Sequence, residues 1–307
     1  HGVTQAIDYA FMGHVGKNDL IGTLLGGFAF FLLVMVALGF TRGAQIVIAR
    51  RVGEQDLTAV GKTLDHLLVK GIFLTLFIFA FSLFFKDVGL AYMLKSDVII
   101  EKAQTYLGIR MWASPLVVFN VCIIAFYAGI GKTKIITACT ILMSAANVIF
   151  DYLLIFGHFG WPEMGIAGAS LATVIAEIVG TIALVTALVL NKDISHFHLF
   201  KFPKTDWKLY ERMVNLSTPI VVQHILGLGT WWLFFIMVEK IGEEELAISG
   251  IIKSLYMLIG IPIWGFASAI NTIVSNLIGQ NKIGDVNIAI IKSVHISFVI
   301  GLFMSAA

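Results

Sequence analysis

Nine apolar runs, joined by short polar turns, fill most of the 307 residues and leave the chain little choice of fold. Crossing a bilayer's hydrocarbon takes about 20 residues of helix, and only a helix or a closed barrel satisfies its own backbone there. The runs predict helices near 1–13, 20–49, 63–86, 101–129, 134–157, 165–190, 208–238, 244–279 and 283–307. With 58% hydrophobic and 13% charged residues and a mean hydropathy of +0.92, the chain is too apolar for a soluble domain. The expected fold is all-α, a polytopic transmembrane helix bundle. A net charge of +2, carried in short basic clusters between runs, gives a nucleic-acid partner no support. Cys122 and Cys139 both fall in apolar helical runs, which suits small buried residues better than a disulfide or metal ligands. The chain opens at His1 within one apolar run and stops at Ala307 within another, so it reads as a fragment.

Lysine and arginine give the orientation. Alternate connections carry Arg50, Arg51 and Lys62; Lys132 and Lys134; Lys192, Lys201, Lys204, Lys208 and Arg212; and Lys282. These are expected to face the cytoplasm, so the first helix runs outward. Residues 191–207 form the one polar, Pro-containing linker, dividing a six-helix unit (1–190, its first helix cut short) from three helices of a partial second unit (208–307). Sliding the sequence by 226 positions matches Gly16 with Gly242, Leu20 with Leu246, Gly39 with Gly265, Phe40 with Phe266 and Gly53 with Gly279. That pattern predicts an internal duplication, its halves in the same orientation about an axis along the membrane normal.

Asp151 lies in the run from Ile135 to Phe156, with Asn147 one helical turn before it. An ionised carboxyl in hydrocarbon costs roughly 3 kcal/mol or more, so it survives facing a polar cavity or a partner. The spacing of four puts both side chains on one face, where the amide can hydrogen-bond the acid in either protonation state. Such a group can take up and release a proton or Na⁺, which points to transport.

The segment Asn147-Val-Ile-Phe-Asp151, followed by Gly165-Ile-Ala-Gly168-Ala-Ser-Leu-Ala-Thr173, resembles the fifth and sixth helices of the MATE (multidrug and toxic compound extrusion) exporters. Asp8 with Met12-Gly13-His-Val-Gly16 and Leu20 resembles the end of that family's first helix. Gly43-Ala-Gln45 and Arg51-Val-Gly53 resemble the end of its second, an element that recurs from Asn271 to Gly279. The resemblance covers essentially the whole chain. It implies twelve helices in two six-helix lobes forming a V, about nine of them present here. It also implies alternating access by a monomer in a bacterial-type inner (plasma) membrane, with antiport of organic, often cationic, drug-like compounds against H⁺ or Na⁺. No cofactor is implied beyond that coupling ion. Asp8, Asn147, Asp151 and Thr173 match the first-lobe polar cluster of the DinF-like branch, with Na⁺ admissible at Asp8, Asn147 and Asp151. Another branch places an acid in the seventh helix; from Ile220 to Val238 this chain has none, offering Gln223 and His224 instead.

Second-tier cavity residues are Glu177, four residues after Thr173 on the same face, and Gln45, Gln223 and Lys253, the last too deep in its helix to snorkel easily. Arg42, Lys70 and Arg110 lie near span ends and are expected to snorkel. Trp112, Trp231, Trp232, Phe234 and Phe235 are candidates for lining a drug cavity or for packing. Gly22-x-x-x-Gly26, and Gly165 with Gly168 and Ala169, permit close helix approach. His196 and His198 lack a third metal ligand at suitable spacing. A rival transport reading, a lipid-linked oligosaccharide flippase, would need a strongly cationic cavity. A rival of another class is an intramembrane enzyme with Asp8 and Asp151 as acid and base.

Overall fold

The computed structural model describes residues 2–202 and 205–306; His1, Pro203, Lys204 and Ala307 lie outside them. The described residues form nine long helices: α1 (Gly2–Val15), α2 (Lys17–Gly53), α3 (Leu57–Met93), α4 (Asp97–Gly129), α5 (Thr133–Phe156), α6 (Ile166–Leu190), α7 (Trp207–Glu239), α8 (Glu243–Gly279) and α9 (Ile283–Ala306). They contain no strand. Seven of the helices, α2 to α7 and α9, are long and apolar enough to cross a membrane. The protein is therefore the all-α membrane bundle that its runs predict.

Where a start lies before the predicted one, as in α3 and α7, a polar cap rather than hydropathy sets it. α3 begins at Leu57 rather than near residue 63, since the Asp56 side chain accepts the Ala59 N–H at 3.0 Å. α4 is broken by a 3₁₀ turn at Met111–Ala113, just before Pro115, whose nitrogen has no proton to give the preceding turn. The Ser114 hydroxyl donates to the Met111 carbonyl there at 2.6 Å. α5 ends at Gly157 in the left-handed region (φ 70°), and the chain returns so closely that a side chain on Gly168 of α6 would collide with the Leu154 carbonyl. Lipid tails are as apolar as leucine, so such close packing, rather than hydrophobic drive, holds helix to helix. The apolar face of Ile72, Phe73, Leu76 and Phe77 on α3 stays exposed, as suits contact with acyl chains.

The 226-residue slide has a physical counterpart. α2 and α8 are each 37 residues long. The turn after α2 has hydrogen bonds Glu54 N–H to Arg50 O, Gln55 N–H to Val52 O and Asp56 N–H to Arg51 O. The turn after α8 repeats them one for one, Gln280 to Asn276, Asn281 to Ile278 and Lys282 to Leu277, with Gln55 and Asn281 both left-handed at φ 61° and 58°. At these basic ends the two helices cross. A Cβ placed on Gly279 would lie 3.0 Å from the Gly53 Cα, and Asn276 Nδ2 donates to the Ala49 carbonyl at 3.1 Å.

The linker is tied down by α3. The Asp65 carboxylate accepts the N–H groups of Phe200, Lys201 and Phe202 at 2.8, 2.9 and 2.9 Å. His66 Nε2 accepts the Asp206 N–H at 2.9 Å, and Lys62 Nζ pairs with the Asp206 carboxylate at 2.7 Å.

Candidate ion-coupling site and inter-helix cleft

Three helices converge on Asp8 of α1. Its Oδ2 accepts the Tyr106 hydroxyl of α4 at 2.8 Å and the Thr173 hydroxyl of α6 at 3.0 Å; its Oδ1 accepts Nδ2 of Asn147 on α5 at 3.3 Å. Thr173 also lies 2.9 Å from its own helix carbonyl at Ala169, so its single proton serves one acceptor at a time. Asp8, Asn147 and Asp151 are all 0% exposed. The Asp151 carboxyl faces that of Asp8, near enough to hydrogen-bond once either is protonated. Both Asp151 oxygens and Asn147 Oδ1 have no donor among the described residues. Three buried acceptor oxygens without a donor, set beside a second carboxyl, are the surroundings that a proton or a small hard cation would satisfy.

All four first-tier residues named from the sequence thus come together. Sequence reasoning missed Tyr106. Its signal was periodicity: Ile99, Ala103, Tyr106, Leu107 and Arg110 share the buried face of α4.

One turn on from Tyr106, Arg110 departs from expectation. It does not snorkel; it is 5% exposed, and its Nη2 pairs with Glu177 Oε1 at 3.3 Å. The physical reason is that α4 turns it inward, where the Phe30 ring lies 4.9 Å from its guanidinium and Glu177 supplies the counter-charge. Asn120 Nδ2 donates to Glu177 Oε2 at 2.9 Å, and Thr181 donates to Asn120 Oδ1 at 2.8 Å. Glu177 is therefore an interior ion-pair partner among α4 and α6, away from the cleft described next.

Between α2, α7 and α8 lies a cleft of about 460 Å³. Gln223, His224 and Lys253 line it, as does Arg42, which meets Gln45 Oε1 at 2.8 Å and Ser268 Oγ instead of snorkelling. Gln45 stands off the lining, donating to Thr272 Oγ1 at 2.7 Å and so joining α2 to α8. Of the five candidate aromatics only Trp231 is in the lining. Trp232 and Phe235 are buried in the core, whereas Trp112 and Phe234 point outward. Lys70 lies over the rings of Trp207 and Tyr210, 5.1 and 4.8 Å from their centroids.

Known proteins share this architecture. The chain is 27% identical over 250 residues to the "Probable multidrug resistance protein NorM" of Rhizobium meliloti, covering 80% of this chain and 52% of that protein. It is 26% identical over 278 residues to the "Probable multidrug resistance protein YoeA" of Bacillus subtilis, covering 89% and 59%. The chain thus spans a little over half the length of these relatives. Among solved structures, a dye complex of the MATE multidrug transporter DinF-BH superposes with a TM-score of 0.87 at 20% identity, covering 99% of this chain and 67% of that one. An outward-facing MATE family transporter of the MOP superfamily gives 0.82 at 19%, covering 99% and 68%. The family model MatE matches residues 3–153 and 219–307, well over half of the sequence, and the chain belongs to that family.

Proposed function

We propose that the protein is a secondary exporter of small drug-like organic compounds, driven by H⁺ or Na⁺ and working by alternating access as a monomer in a bacterial-type inner membrane. The observation that carries this reading is the Asp8–Asp151 pair, two fully buried carboxyls with three donors on one and none on the other. Two such acids compete for one proton, or share one cation with the Asn147 oxygen. Because α1, α4, α5 and α6 each supply a ligand or a donor, an ion there binds one arrangement of these helices better than another. That difference in affinity is what couples ion entry to the hold on substrate. The names of the relatives, and the dye bound to one structural neighbour, support drug-like substrates. An intramembrane enzyme built on the same acids has no counterpart among these relatives and neighbours.

The test is efflux of a cationic dye, ethidium, and an anionic one, fluorescein, by the full-length protein in liposomes under an imposed proton gradient and, separately, an imposed Na⁺ gradient. Acceleration of at least one dye by one of the gradients is expected, and acceleration of neither dye by either gradient refutes the proposal. A lipid-linked oligosaccharide flippase is the second reading, favoured by Arg42 and Lys253 in the cleft. Flipping of a lipid precursor without efflux of either dye would establish it.

A further inference from the structure

The cleft between α2, α7 and α8 carries charge of one sign. Arg42 stands toward its basic-loop end and Lys253 toward the other, about four helical turns away, and no Asp or Glu is among the described residues lining it. Lys253 is 2% exposed, and its ammonium has no hydrogen-bond partner among the described residues. Its company is aromatic: the Phe28 ring centroid at 3.1 Å and that of Phe235 at 5.1 Å. A ring face attracts a cation but takes none of its three N–H bonds in the way an oxygen does. Beside Lys253 in the lining, Trp231 and Tyr256 lie 5.6 Å apart with their rings tilted at 36°, an aromatic wall next to a buried ammonium that lacks an acceptor among the described residues.

We infer that this cleft binds an amphipathic organic anion, its acidic group on the Lys253 ammonium and its apolar body along Trp231, Tyr256 and Met35 toward Arg42. An organic cation would meet the Arg42 guanidinium there and no counter-charge among the described lining residues, so the inference departs from the often cationic substrates that the family resemblance implies. It rests on the transporter reading only in taking the cleft as the substrate chamber. The acidic group can belong to a soluble compound or to a lipid headgroup, and the two share the chemistry that Lys253 recognises.

The experiment is fluorescence anisotropy on the full-length protein in phosphatidylcholine nanodiscs, at neutral pH with no ion gradient, using fluorescein as the anion and ethidium as the cation. Fluorescein is expected to bind at least tenfold more tightly than ethidium. Lys253→Gln weakens fluorescein about tenfold or more without weakening ethidium, and Lys253→Arg restores it. Arg42→Gln, at the far end, gives an independent loss in the same direction. Ethidium binding as tight as fluorescein, or fluorescein binding that ignores both Lys253→Gln and Arg42→Gln, overturns the inference. In phosphatidylglycerol nanodiscs, loss of fluorescein binding identifies the lipid headgroup as the anion, and retained binding identifies a soluble one. With no gradient imposed, failure here leaves ion coupling by the acid pair standing. Failure of gradient-driven efflux, conversely, leaves the charge preference of the cleft standing.

Discussion

Arg110 and Glu177 sit beside the acid pair in the same buried interior, and each makes the other tolerable. Removing one partner of a buried ion pair leaves the other uncompensated, at a cost of about 3–5 kcal/mol. Glu177→Ala should therefore lower the thermal midpoint in detergent markedly, while Glu177→Leu combined with Arg110→Met recovers most of the loss. Equal midpoints for the single and double variants would show that the pair is not what holds α4 to α6. Asn147 and Asp151 were legible in the sequence because a carboxyl or amide inside an apolar run is tolerated only against a polar partner or cavity, whereas Asp8 and Thr173 entered through the family resemblance. Tyr106 and Arg110 were not. A tyrosine or arginine near a span end has an ordinary place at the membrane interface, and only the turn of α4 decides that these face inward.

Helices show the same division. Hydropathy finds each span but not its ends, since Asp56 and Asp206 extend α3 and α7 through side-chain caps in water. The linker's anchorage was also hidden, because Asp65 reads as one more polar residue in the first turns of α3. Asp65→Ala should speed amide hydrogen exchange at Phe200, Lys201 and Phe202, whose N–H groups it accepts. Unchanged exchange would mean that the segment is held by something else. Lys62 and the Leu209 N–H hold the Asp206 carboxyl down to about 2 from its ordinary 3.8. A depressed carboxyl contributes above its ordinary value and loses that contribution as pH falls through the folded one. The cap of α7 should accordingly loosen between about pH 4 and pH 2, seen as faster Leu209 exchange once the intrinsic pH dependence is removed. Lys62→Met should shift that loosening to higher pH, and an unshifted profile would contradict the assignment to Lys62.

The whole molecule is organised by the crossing of α2 on α8, where the equivalent glycines Gly53 and Gly279 meet and leave no room for a side chain. The repeat was legible as a constant offset. That its two copies touch at their basic ends was not, because sequence identity carries no distance. Gly279→Leu should part those ends, lengthening the distance between spin labels at Glu54 and Gln280 measured by electron-electron resonance. A distance equal to that of the unsubstituted protein would show that the glycine contact does not set the approach. In the proposed mechanism Asp8 and Asp151 together hold the driving ion, so that neither works alone. The most direct measurement is dye efflux from liposomes, with and without the driving gradient, for the full-length protein, Asp8→Asn and Asp151→Asn. Each variant should lose gradient acceleration while keeping slow downhill efflux; unchanged acceleration in Asp151→Asn would remove that carboxyl from the coupling site.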